Sequence, residues 1–155
     1  MKPPLHFYSS RIGKLHKPCL IALYAFLITA CAGNMPNNLG IKNLQLQPCP
    51  SSPNCVSSFD TDAEHSIAPI FINEGEKQIK KKLLNLIKQH SNMRLVHHAD
   101  KYIYAQYTSG VMGFVDDMEF LITGKKVEVR SASRLGYSDL GANRNHIEII
   151  RERLK

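Results

Sequence analysis

The sequence predicts an α+β fold, an antiparallel β-sheet with helices packed on one of its faces. Three observations carry that expectation. A helical pattern is followed by a run of strand patterns and then by a second helical pattern. The strands are joined by short turns, without the long crossovers that parallel pairing needs. One of those turns also fixes a hairpin register that sorts apolar and charged side chains onto opposite faces.

The first helix is predicted to begin at Asn73-Glu-Gly-Glu76. An asparagine side chain can accept an N–H of the first turn, with an acid three residues later. Ile79, Leu83, Leu86 and Ile87 then recur on one helical face. Lys80-Lys81-Lys82 reads as solvated surface rather than a nucleic-acid patch, and His90-Ser91-Asn92 ends the helix.

Four strands are expected next. Met93–His98 is short and apolar, and Tyr102–Thr108 alternates with a period of two. Gly113–Thr123 and Lys126–Ser133 flank Gly124-Lys125, where glycine at the first central position suits a two-residue type II′ turn. That turn sets Ile122 against Val127, Phe120 against Val129 and Met118 against Ser131 as the apolar face. The other face pairs Leu121 with Glu128, Glu119 with Arg130 and Asp117 with Ala132. Opposite charges meet at Glu119 and Arg130, and a one-residue slip would invert every side chain. The charged face is expected to meet solvent or a ligand. A final helix, capped by Asn143, is expected to turn Ile147, Ile150 and Leu154 inward.

The N-terminus reads as an address. Residues 1–30 hold Lys2, Arg11, Lys14 and Lys17 and no acid, and Cys19–Ile28 is apolar. That run is too short to span a bilayer, which takes about 20 residues, and has the length of a signal-peptide core. Ile28-Thr29-Ala30-Cys31 resembles the lipobox of bacterial lipoproteins. The resemblance implies cleavage before Cys31 and lipid (a diacylglyceryl group, palmitate) on its thiol. An ordinary signal peptide or an uncleaved anchor is the alternative. Ala32 is not the aspartate that favours inner-membrane retention, so the expected location is the bacterial envelope, at the outer membrane facing the periplasm. The expected organisation is a signal peptide over 1–30, a flexible tether over 31–47, rich in Asn, Gly, Gln and Pro, and one domain over 48–155.

Removing the leader changes the electrostatics. The formal charge of +7 becomes +7 − 4 = +3, too mild to imply a nucleic-acid partner. The four cysteines are 19, 31, 49 and 55. With Cys19 removed and Cys31 acylated, Cys49 and Cys55 remain as a pair in an oxidising compartment, where a disulfide is expected. Pro50-Ser-Ser-Pro-Asn54 makes a turn between them. A metal or redox site is the rival reading, although the pair lacks Cys-x2-Cys spacing.

Three stretches carry a family resemblance: Cys49-Pro-Ser-Ser-Pro-Asn-Cys-Val-Ser-Ser58, Phe114-Val-Asp-Asp-Met-Glu-Phe120, and Arg130-Ser-Ala-Ser-Arg-Leu-Gly-Tyr-Ser-Asp-Leu-Gly-Ala-Asn-Arg144. Together they resemble the domain-of-unknown-function family 1499 over about residues 48–153. The resemblance implies a domain identity and no reaction, and it implies export or lipid anchoring as in many members.

Three functions are compatible with these residues. As a binding module, Arg130, Ser131, Ser133, Arg134, Asn143 and Arg144 offer guanidinium forks and hydroxyls to an anionic lipid or glycan. A helix N-terminus near Asn143 would add N–H donors. The opposing reading of the same stretch is a polar network in which Asp116, Asp117, Glu119 and Asp139 neutralise the arginines. As a hydrolase-type or metal-dependent enzyme, the chain would use Asp117 and Glu119, which share a face, whereas Asp116 points away. No nucleophile elbow, His-Glu-x-x-His or P-loop is present, and His97 and His98 alternate faces, so no catalytic set, metal or cofactor is expected. As an assembly lipoprotein, the chain would hold another envelope protein, and Tyr102, Tyr104 and Tyr107 would suit an interface or packing under the helices. A non-catalytic binding or assembly module is the reading these residues favour.

Overall fold

The computed structural model describes residues 32–154, so the leader and Cys31 lie outside the described residues. In chain order the elements are β1 (Ile41–Lys42), β2 (Gln45–Leu46), β3 (Cys55–Ser57), β4 (Ile70–Phe71), α1 (Glu76–Gln89), β5 (Met93–His98), β6 (Tyr102–Thr108), β7 (Val115–Thr123), β8 (Lys126–Ser133) and α2 (Ala142–Leu154). The main sheet runs β3-β8-β7-β6-β5, all antiparallel, with β4 pairing further along the same edge of β8 as β3. The fold is α+β, as the order of patterns predicts.

The hairpin register is the expected one at every pair, from Ile122 opposite Val127 to Asp117 opposite Ala132. Gly124 has φ +64, the left-handed value its turn position requires. On the apolar face, Ile103, Met118, Phe120, Ile122, Val127 and Val129 form one buried cluster with Ile79, Leu83, Leu86 and Ile87 of α1 and Ile147, Ile150 and Leu154 of α2. Each fully buried aliphatic side chain of this kind contributes about 1.5–3 kcal/mol.

Both helix starts differ from expectation. Gly75, not Asn73, is the N-cap of α1, and it makes no side-chain capping bond. The Asn73 side chain accepts from Lys125 Nζ instead (2.8 Å). Glu76 accepts from the Gly124 N–H (2.7 Å) and from Lys101 Nζ (2.9 Å), tying the helix start to the hairpin turn and to the entry of β6. At α2 the cap is Asp139, whose carboxylate accepts the N–H groups of Gly141 (3.1 Å) and Asn143 (2.7 Å). Leu140 and Gly141 take positive φ, which turns the chain early and carries Asn143 inside the helix, fully buried. The strand expected from Gly113 begins two residues later, at Val115.

The largest departure concerns the second face of the sheet. Composition marks residues 31–47 as a tether, yet the chain over Leu39–Leu46 packs on the sheet. Leu46 is buried with Tyr102, Tyr104 and Leu121, and Leu39 packs beside them. Asn43 and Leu44, both at positive φ, form the two-residue turn of the β1–β2 hairpin. Residues that make tight turns are also those that make linkers, so composition does not separate the two. The charged face expected to meet solvent is therefore covered.

Cys49 and Cys55 form a disulfide, with a Cα–Cα distance of 5.7 Å. No helix among the described residues is long and apolar enough to cross a membrane.

Candidate functional site

The charged residues of the second face form two buried hydrogen-bonded groups, one around Glu119 and one around Asp117, with Arg130 Nε left without a partner. Asp117 and Glu119 of β7 are completely buried, and Arg130 of β8 is 1% exposed. Arg130 Nη1 donates to Glu119 Oε2 (2.9 Å). Tyr102 of β6 donates to Glu119 Oε1 (2.7 Å), and so does the Gly40 N–H (2.6 Å). Arg134 grips Asp117 with two bonds of 2.8 Å, from Nε and Nη2. Tyr104 also donates to Asp117, and Gln106 Nε2 donates to the Tyr104 hydroxyl (2.9 Å). Burial raises the ionisation ranges of Tyr102 and Tyr104, and the adjoining carboxylates raise them further, so both phenols keep their protons as donors. Arg134 is raised chiefly by its bonds to Asp117. Tyr102 and Tyr104 thus serve packing and these two groups rather than an interface.

The three arginines singled out for anion binding are therefore not brought together. Arg130 and Arg134 are committed to buried carboxylates. Arg144 lies elsewhere and donates to the carbonyls of Ser66 (2.8 Å) and Glu64 (3.1 Å), fastening that loop to α2. Ser131 and Asn143 meet on the apolar face, where Ser131 Oγ donates to Asn143 Oδ1. The Asn143 amide then donates to the Asn54 carbonyl (3.0 Å), Ser133 Oγ (2.9 Å) and Asp139 Oδ2 (2.8 Å). Among the described residues, Asp139 pairs with no arginine and accepts only N–H groups. Asp117 and Glu119, the candidate acid/base pair, have no exposed surface on which to meet a substrate. Among the described residues, no group of three or more His, Cys, Asp or Glu converges as a metal cage would.

Among the clefts of the described residues, one of about 400 Å³ lies beyond the end of the apolar core, where α2 begins. Its floor is Tyr107 of β6, Asp116 of β7, Ser133 of β8 and His146 of α2. Period-two alternation puts Asp116 on the opposite face from Asp117, as the sequence predicts. Ser133 Oγ donates to Asp116 Oδ1. His146 Nδ1 sits 3.4 Å from Asp116 Oδ2, and the Tyr107 ring stacks on the imidazole at 3.8 Å between centroids. Nδ1 is buried and makes no hydrogen bond. The walls are the β6–β7 loop, through Ser109, Gly110 and Phe114, and the β8–α2 loop, through Leu135–Leu140. Among the described residues, no Lys or Arg lines the cleft. Both oxygens of Asp139 are used in capping and in holding Asn143, which leaves Asp116 as the carboxylate of the floor.

A serine, an aspartate and a histidine here do not make a nucleophile. The hydroxyl is bound to the carboxylate and not to the imidazole, so the base that would activate it is on the wrong partner. The arrangement instead presents a polar floor beneath apolar walls, the usual composition of a small-molecule site.

Sequence reasoning missed several of these residues. Tyr107 and His146 meet only through the fold. Asn54 closes the disulfide turn, and its Nδ2 donates to the carbonyls of Gly136 (2.7 Å) and Ser133 (3.3 Å), bracing one cleft wall. An asparagine directly before the second cysteine was the available signal.

Comparison with known proteins adds one match. The family model described as a protein of unknown function (DUF1499) matches residues 45–154, beginning at the first residue of β2. No curated protein matches the chain. No solved structure matches it either.

Proposed function

The chain belongs to the DUF1499 family, and from that premise we propose that it is a bacterial envelope lipoprotein, anchored through Cys31, whose domain is a non-catalytic binding module for a small amphiphile. The cleft above Asp116, Ser133 and His146 carries this reading. Its walls offer Phe114, Leu135 and Leu140 to an apolar body, and its floor offers a carboxylate to a hydrogen-bond donor. A neutral or amine-bearing ligand suits that floor. An anionic head group does not, because among the described residues no lysine or arginine lines the cleft to receive it.

The lipobox-like Ile28-Thr29-Ala30-Cys31 supports the anchor, and the bridged Cys49–Cys55 pair agrees with an oxidising compartment. The buried ion pairs of the second face hold the sheet and leave the cleft as the recognition surface.

N-phenyl-1-naphthylamine, an aromatic body with one N–H donor, tests the cleft directly. The protein should enhance its fluorescence saturably with one site per chain. Ala142→Trp, which fills the cleft from the first residue of α2, should weaken that binding at least about tenfold, the loss of roughly 1.4 kcal/mol. Equal binding by both chains, with the fold of the variant intact by circular dichroism, rejects the cleft as the site.

A further inference from the structure

We propose that the two loops flanking the cleft rest in the surface of the lipid bilayer, so that the cleft opens towards lipid. This rests on the reading of Cys31 as the lipid-bearing residue, and adds to it an orientation.

The first support is where the chain emerges. A Cβ built on Gly33 would lie 2.9 Å from Arg134 Cβ and 3.1 Å from Leu135 Cγ, so Gly33 runs against the base of the β8–α2 loop. Cys31 precedes it by two residues, a reach of at most about 7 Å. Because Gly40 and Leu46 are held on the sheet, the segment after the anchor has little slack. Acyl chains on Cys31 would enter the membrane beside that loop.

The second support is what the loops expose. Val111 and Leu140 are each 97% exposed, and Met112 and Tyr137 are also largely exposed. Soluble surfaces rarely gather large apolar side chains in this way, and tyrosine is favoured at membrane interfaces. The β6–β7 loop from Ser109 to Phe114 contains no charged residue. The β8–α2 loop contains Arg134, which is bound to Asp117, and Asp139, which is occupied in capping. Each of these charged groups is hydrogen-bonded within the protein, which limits the main cost of bringing the loops to lipid. Phe71, another exposed aromatic, sits at the opposite end of β8, about 23 Å away along that strand.

The chain has no tryptophan, so single introduced tryptophans report depth without background. The full-length gene products carrying Leu140→Trp, Val111→Trp or Phe71→Trp are taken as processed lipoproteins into phosphatidylethanolamine–phosphatidylglycerol vesicles with brominated acyl chains. The chains altered at 140 and 111 should show blue-shifted emission and lose most of it to bromine quenching, and the chain altered at 71 should do neither. Quenching at none of the three, or equal quenching at all three, overturns the orientation. Intact mass of the same vesicle-bound protein separates the two readings. An acylated Cys31 with no quenching rejects the orientation and leaves the anchor standing, whereas a chain without acyl groups rejects the anchor and the orientation with it.

Discussion

Arg130 and Glu119 meet across β7 and β8 with almost no surface exposed on either side chain. Removing one charge leaves the other buried and unpaired, which costs about 3–5 kcal/mol, whereas replacing both by apolar groups of similar volume is close to neutral. Arg130→Ala is therefore expected to lower unfolding stability by about 3–5 kcal/mol in urea. Arg130→Met with Glu119→Leu should recover only part of it, because the Tyr102 hydroxyl and the Gly40 N–H lose their acceptor. A small effect from Arg130→Ala would show that the pair is not sealed from water. Two histidines are expected to titrate on opposite sides of their ordinary value. His65 is pushed down by burial, but its contacts with the Ser52 carbonyl and Asp62 outweigh this and raise it. Its contribution to stability is complete below about pH 6.5 and is lost as pH rises through its raised folded value. His90 is lowered, first by burial and then by Arg153 and His146. Its contribution is present above about pH 6.5 and fades as pH falls through the lowered folded value. Imidazole C–H resonances followed by NMR from pH 5 to 8 check both directions; a shared midpoint contradicts them.

Among the elements, the β7–β8 hairpin was the most legible. A period of two, a two-residue turn and the facing Glu119 and Arg130 are all local, so one register satisfied them together. The β1–β2 hairpin was not legible, because Asn, Gly and Pro mark a turn and a linker equally well. Its role can be measured. Leu46→Ala should cost about 2–4 kcal/mol, because it opens a cavity among Tyr102, Tyr104 and Leu121. A truly free tether would show no change in chemical denaturation. The side chain that caps α2 lies four residues before the expected Asn143, since Asp139 and Asn143 are both good caps and only the positive φ of Leu140 and Gly141 decides between them.

For the whole molecule, polar residues are divided between the two faces of one sheet. Asp117, Glu119, Arg130 and Arg134 on the second face are sealed by the N-terminal hairpin and the tyrosines of β6. Asp116 and Ser133 on the first face lie beyond the reach of the helix-covered core, where the cleft begins. The two apolar loops beside the cleft, the cleft and Gly33 are therefore gathered at one end of β8, as the proposed orientation requires.

The sequence by itself determined the class of fold, the hairpin register, the inner faces of both helices and the pairing of Cys49 with Cys55, because each depends on periodicity, a turn or a count. It also marked the stretch from Val111 to Arg144 as unusually polar for a strand-rich region. Only the tertiary structure decided which of those residues are open. Whether a charged side chain is a ligand site or a buried strut depends on what lies over it. For Arg130 that is a hairpin more than eighty residues earlier in the chain, and for Asp116 it is a histidine from the last helix, relations to which no local pattern of the sequence gives access.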